Sequence, residues 1–210
     1  DLTGIENFTT LTELWCENNQ ISVLDLSSNL NLIQLTCSNN LLTNLDLSNN
    51  HNLQSGGIIC SYNQITSLFI SDSVTYMKGV QCDHNLIDTI NFTRTNRDTT
   101  IIINEFDISN NQLSSLQLGR LFPADVLYCD SNQLNSLDLR VLHHNYSSNS
   151  LGHIYATYNP SLNCISVDDT SYSNINWTVA NDYEFDPQVN FSDDCASFVL
   201  GPTADFSASP

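Results

Sequence analysis

The chain of 210 residues carries five Lys and Arg against 23 Asp and Glu, a formal net charge of −18, with only 13% of its residues charged. Nucleic acid and anionic membranes are gripped first through clustered positive charge, so both are excluded as partners. No run reaches the roughly 18 apolar residues of a membrane span, which excludes direct membrane insertion. What remains is an Asn-, Ser- and Thr-rich, lysine-poor surface, expected of a secreted protein kept soluble by its own repulsion, or of any soluble acidic chain. The first residue, Asp1, is not an initiator Met, which fits a processed protein or an excised fragment.

Residues 1–10 space Leu2, Ile5 and Phe8 three apart and read as a partial turn or opening cap. From Leu11 the chain repeats itself: LTELWCENNQISVLDLSSNLN over 11–31 returns as LIQLTCSNNLLTNLDLSNNHN over 32–52, a period of 21 residues. Periods of this length mark solenoids. Five further copies follow over 53–167, keyed by an Asn at 19, 40, 63, 85, 111, 132 and 159 and by a small apolar residue three positions earlier. Cys16, Cys37, Cys60, Cys82 and Cys129 occupy that earlier position, where they read as buried thiols filling the core. A metal ladder is the sharper alternative, but metal sites need convergent ligand pairs rather than one Cys per turn. Polar insertions at 93–100 and 140–150 fall between repeats, where a solenoid tolerates them.

The repeated pattern LxxLxCxxNxI resembles the leucine-rich repeat family, whose signature is LxxLxLxxNxL. The resemblance implies a curved right-handed superhelix with a parallel β-sheet on the concave face, an extended or turn-rich convex side and little helix. It also implies that Asn19, Asn40, Asn63, Asn85, Asn111, Asn132 and Asn159 form a buried ladder satisfying backbone groups where each turn leaves its strand. Residues 168–199 resemble the C-terminal caps of secreted bacterial repeat proteins, in which the cysteines of a CxxVDD…W…DC pattern pair. That likeness implies a disulfide between Cys164 and Cys195 and an oxidising compartment; two free thiols are the alternative. Residues 200–210 read as a linker and resemble the opening strand of an immunoglobulin-like module.

Aligning outward strand positions gives three columns. The first contains Glu13, Glu105 and His153; the second Trp15, Gln81, Asp107, Tyr128 and Tyr155; the third Glu17, Asp83 and Asp130. Beside the third run Asn18, Asn39, Tyr62, His84, Asn110, Ser131 and Tyr158. Two candidate binding patches emerge: acids at Asp83, Glu105, Asp107 and Asp130 with His84, and aromatics at Tyr128, His153, Tyr155 and Tyr158. Flat aromatic faces flanked by acids suit sugar rings or a partner's basic side chains, although outward Tyr and Asp also occur as ordinary strand-surface residues. Calcium on the acids is conceivable chemistry, but ligands on separate straight strands do not wrap a cation.

No nucleophile, base and orienting group assemble in the sequence, and a carboxylate pair drawn from Asp107 and Asp130 would lie on a shallow surface. The expectation is a non-catalytic extracellular or cell-surface recognition module, monomeric as a domain, that binds a protein or glycan without a cofactor. The alternatives are a structural spacer and a module that targets a carbohydrate-active enzyme to its substrate.

Overall fold

The computed structural model describes residues 2–54, 56–71, 73–93, 101–118, 121–140 and 152–195, with backbone alone at 91–93 and 121–124. Most of the two expected insertions, the end of the cap and the linker at 200–210 lie outside these residues.

Strands alternate between two sides of a coil. On one side lie β1 (Glu13–Trp15), β2 (Gln34–Thr36), β4 (Gly57–Ile59), β6 (Tyr76–Gln81), β8 (Ile101–Asp107), β10 (Leu121–Tyr128), β12 (His153–Ala156) and β14 (Glu184–Phe185). They form one eight-stranded sheet in that order, the long sheet, with every pair parallel. The return side carries β3 (Asn44–Leu47), β5 (Ser67–Ser71) and β7 (Thr89–Thr93) in one sheet. A second return sheet holds β9 (Ser115–Gln117), β11 (Ser136–Asp138), β13 (Cys164–Ser166) and β15 (Asn190–Ser192). Among the described residues, helix is confined to α1 (Thr170–Asn176) and two three-residue 3-10 turns, Ile5–Asn7 and Val179–Asn181. Extended structure therefore dominates both sides, as the repeat's alternating apolar residues require.

The register stacks like on like. Leu14, Leu35, Ile58, Val80, Phe106, Leu127 and Ile154 follow one another across the long sheet, and all but Leu14 are wholly buried. On the return side Leu45 pairs with Leu68, and Leu116, Leu137, Ile165 and Phe191 run in register. All five free cysteines are buried between these rows. Burial, with a smaller push from Glu17, raises the Cys16 thiol to about 11. A Cys82 hydrogen bond and burial hold Cys60 far above its ordinary range, so the Cys16 and Cys60 sulfurs are protonated packing atoms at neutral pH.

Each coil leaves its strand through a residue in the left-handed region: Asn18, Asn39, Tyr62, His84, Asn110, Ser131 and Tyr158 all have φ between 53° and 57°. The next residue is the ladder asparagine. Asn40 accepts the Ile21 N–H at Oδ1 (2.9 Å) and donates from Nδ2 to the carbonyls of Cys16 (2.9 Å), Cys37 (3.0 Å) and Ser38 (3.3 Å). Asn63, Asn85, Asn111, Asn132 and Asn159 repeat the scheme, each joining its own turn to the preceding one. Asn19 departs from the expected burial. It is exposed, and its side chain bonds only within its own turn, to the carbonyls of Cys16 and Glu17, because no described coil stacks on its outer side.

A second ladder, not foreseen in the sequence, holds the return side of the first coils. Buried Asn29 donates to Ile5 and Phe8, and buried Asn50 to Leu26 and Asn29. At Gly57 the sheet admits nothing larger than glycine. Its φ is 80°, and a Cβ there would overlap the Gly79 carbonyl oxygen of the next coil.

The last coil is closed by α1, β14, β15 and an aromatic plug. Asp169 caps α1 by accepting the Tyr172 N–H. Trp177 is 8% exposed; it stacks on Tyr183 and meets Phe191 edge-on at 5.4 Å. Cys164 and Cys195 form a disulfide that fastens β13 to the end of the cap.

Candidate recognition surface on the long sheet

The parallel register turns the second outward column into a line of neighbours: Trp15, Thr36, Ile59, Gln81, Asp107, Tyr128, Tyr155 and, from the cap, Glu184. Side chains alternate along each strand, so all eight share one face. Tyr128 and Tyr155 stack with ring centroids 4.9 Å apart and planes 16° from parallel. Partial burial raises the Tyr128 phenol above its usual range, with Tyr155 and the charges of Glu105, Asp107 and Asp130 adding to it.

Burial shapes the acids around this stack first, and their neighbours' charge second. Burial raises the carboxyl of Asp107 above the ordinary range; bonds from the Ser109 N–H (3.0 Å) and hydroxyl (2.8 Å) oppose the shift, and Asp83 and Asp130 reinforce it. Asp130 is raised first by burial and then by Glu184 and Asp83. Glu105 is tied by Gln81, whose Nε2 donates to it at 2.9 Å.

One turn-side cluster sits beside the acids. The Ser61 hydroxyl donates to Asp83, the other Asp83 oxygen meets His84 Nδ1 at 2.8 Å, and His84 stacks on Tyr62 with centroids 4.2 Å apart. Here the serine hydroxyl is bonded to the carboxylate and not to the imidazole. That order puts a carboxylate rather than an imidazole on the hydroxyl, so the three groups do not form a serine–histidine–aspartate relay.

The structure therefore brings together Tyr128, Tyr155, Asp107, Asp130, Asp83, Glu105, Gln81 and His84 on neighbouring coils. His153 instead faces the cap, with its ring 5.7 Å from Tyr183. Tyr158 stands apart on the turn ridge, 74% exposed, with its N–H donating to Asp186. Glu13 and Trp15 lie on β1 at the far end, with Glu17 just past it, and Trp15 is 64% exposed beside a shallow cleft lined by Leu2, Leu14, Asn19 and Ile21. Two participants escaped sequence reasoning. Glu184 joins the column because the cap adds a strand to the sheet; the alternating Tyr183-Glu184-Phe185 is the signal that could have revealed it. Ser61 carries no signal of its own, and only the aromatic Tyr62 at the following left-handed turn position marks its neighbourhood. Among the described residues no His, Cys, Asp and Glu converge as a metal site.

A one-per-coil asparagine that ties each turn to the one before it, beneath an all-parallel sheet, decides the architecture. The chain has the fold of a leucine-rich repeat solenoid. Two solved structures are similar to it. One is the leucine-rich repeat domain of APL1B, at 19% identity and TM-score 0.48, matched over 89% of this chain and 55% of that one. The other is the functional domain of InlJ from Listeria monocytogenes, described as including a cysteine ladder, at 19% identity and TM-score 0.30 over 92% and 60%. This repeat chain thus spans little more than half the length of the solved domains it matches. No family model and no curated protein matches it.

Proposed function

We propose that this solenoid is a non-catalytic recognition module that holds a protein or glycan on its long sheet, outside the cell or at its surface. The observation that carries this reading is the Tyr128–Tyr155 stack, set on strands whose backbones are locked by neighbours on both sides. Rigid aromatic anchors lose little freedom when a ligand settles on them, and half-buried carboxylates next to them supply directional contacts. The Cys164–Cys195 disulfide supports an oxidising compartment, and no described helix is long and apolar enough to cross a membrane.

Screening the isolated domain on glycan and peptide arrays tests the role. Tyr155→Ala and Asp107→Ala should each abolish binding of the ligands so found while leaving thermal unfolding unchanged. Undiminished binding in both variants would overturn the reading.

A further inference from the structure

Resting on the recognition role above, we infer that the partner is a protein segment presenting arginine to the Tyr128–Tyr155 stack. The register supplies the site: Asp107, Tyr128, Tyr155 and Glu184 occupy consecutive places in one column across β8, β10, β12 and β14. Because the two rings cover each other, only their outer faces remain available, one turned toward Asp107 and the other toward Glu184. A column step is about 4.8 Å, so a planar cation laid on either outer face meets the negative face of a ring and a carboxylate together. Asp130, two residues beyond Tyr128 on the same face, adds a third acid.

Charge decides between ligand classes. The three outward columns contain no Lys or Arg, so Asp107, Asp130 and Glu184 stand beside the ring stack with no cation among the column residues; burial, and to a smaller extent the neighbouring acids, raises the carboxyls of Asp107 and Asp130. A neutral sugar could stack on the same rings but would leave that repulsion in place. A guanidinium cancels it, fills open carboxylate lone pairs with its fork of donors, and stacks flat on tyrosine. The net charge of −18 steers such a partner toward the domain from a distance.

The test titrates the whole domain, observed by NMR, with an arginine-rich peptide, with the same peptide carrying citrulline, and with a neutral oligosaccharide. The arginine peptide should bind, more tightly as salt is lowered, and shift Tyr128 and Tyr155. Tyr155→Leu, which leaves the net charge unaltered, should weaken it roughly tenfold, as should Asp107→Asn. Tyr155→Phe, which keeps the ring, and Asp193→Asn, on the return side, should bind as the parent does. Equal affinity for the citrulline peptide, or undiminished affinity in Tyr155→Leu, overturns the inference. If the oligosaccharide alone shifts the two tyrosines, the cationic partner falls while surface recognition stands. If no probe shifts them, both fall.

Discussion

Each buried ladder asparagine, from Asn40 to Asn159, holds an N–H and several carbonyls in the interior, so its removal should cost far more than an average polar contact. Asn85→Ala would orphan the Ile65 N–H and remove one donor from each of the carbonyls of Cys60 and Cys82, which Asn63 and Asn111 still reach. We expect a loss of about 3 kcal/mol or more in denaturant unfolding. Asn19→Ala, at an exposed position whose side chain bonds only its own turn, should cost under about 1 kcal/mol. Equal costs would mean that the ladder does not carry the stack. The turn residues invite the opposite experiment. Tyr158 holds φ at 57° while mostly exposed, so Tyr158→Gly should relieve backbone strain and stabilise by about 1 kcal/mol. Raised carboxyls make a pH-dependent prediction with a definite sign. Asp130 binds its proton more readily folded than unfolded, so this group subtracts stability as pH rises through its ordinary range to its raised value, and the penalty is full above that. Asp130→Asn should therefore raise the melting temperature at neutral pH and bring no gain in acid below the ordinary carboxylate range.

At the scale of elements, the cap is the piece whose contribution can be isolated. The disulfide closes a separation of 31 residues, and Cys195→Ser should lower stability by about 3 kcal/mol in the chain-entropy picture. Asp138 and Arg140 add a second fastening: their side chains meet at 2.7 Å, and Arg140 also donates to the Asp193 carbonyl of the cap. The repeats were legible from sequence because every coil solves the same problem with the same residues, so Leu35, Ile58 and Val80 announce their common place. The column positions of Asp107, Tyr128 and Tyr155 followed from that spacing alone. The cap hid more. Its 168–195 stretch occurs once, so no second copy showed that Glu184 and Phe185 extend the long sheet or that Asn190 to Ser192 extend the return sheet. His153 likewise departs toward Tyr183 because ring packing, which spacing does not encode, chose the cap over the tyrosine stack.

For the whole molecule, charge and one-dimensional stacking dominate. A chain at −18 repels itself, and the described concentration of acids around Asp107 and Asp130 sharpens that locally, so moderate salt should raise the melting temperature until screening is complete. A solenoid's stability sums over coils and the interfaces between them, which makes its two ends unequal here. At one end Asn19 is exposed and β1 has a partner on one side only; at the other, a tryptophan plug and a disulfide seal the final coil. Under a pulling force the asparagine rungs thus act like teeth of a zipper with a single slider. Extension should begin at the β1 end and proceed in discrete steps, one coil's length at a time, until the covalent clasp halts it. A force trace with a single catastrophic rupture would show instead that the coils yield together.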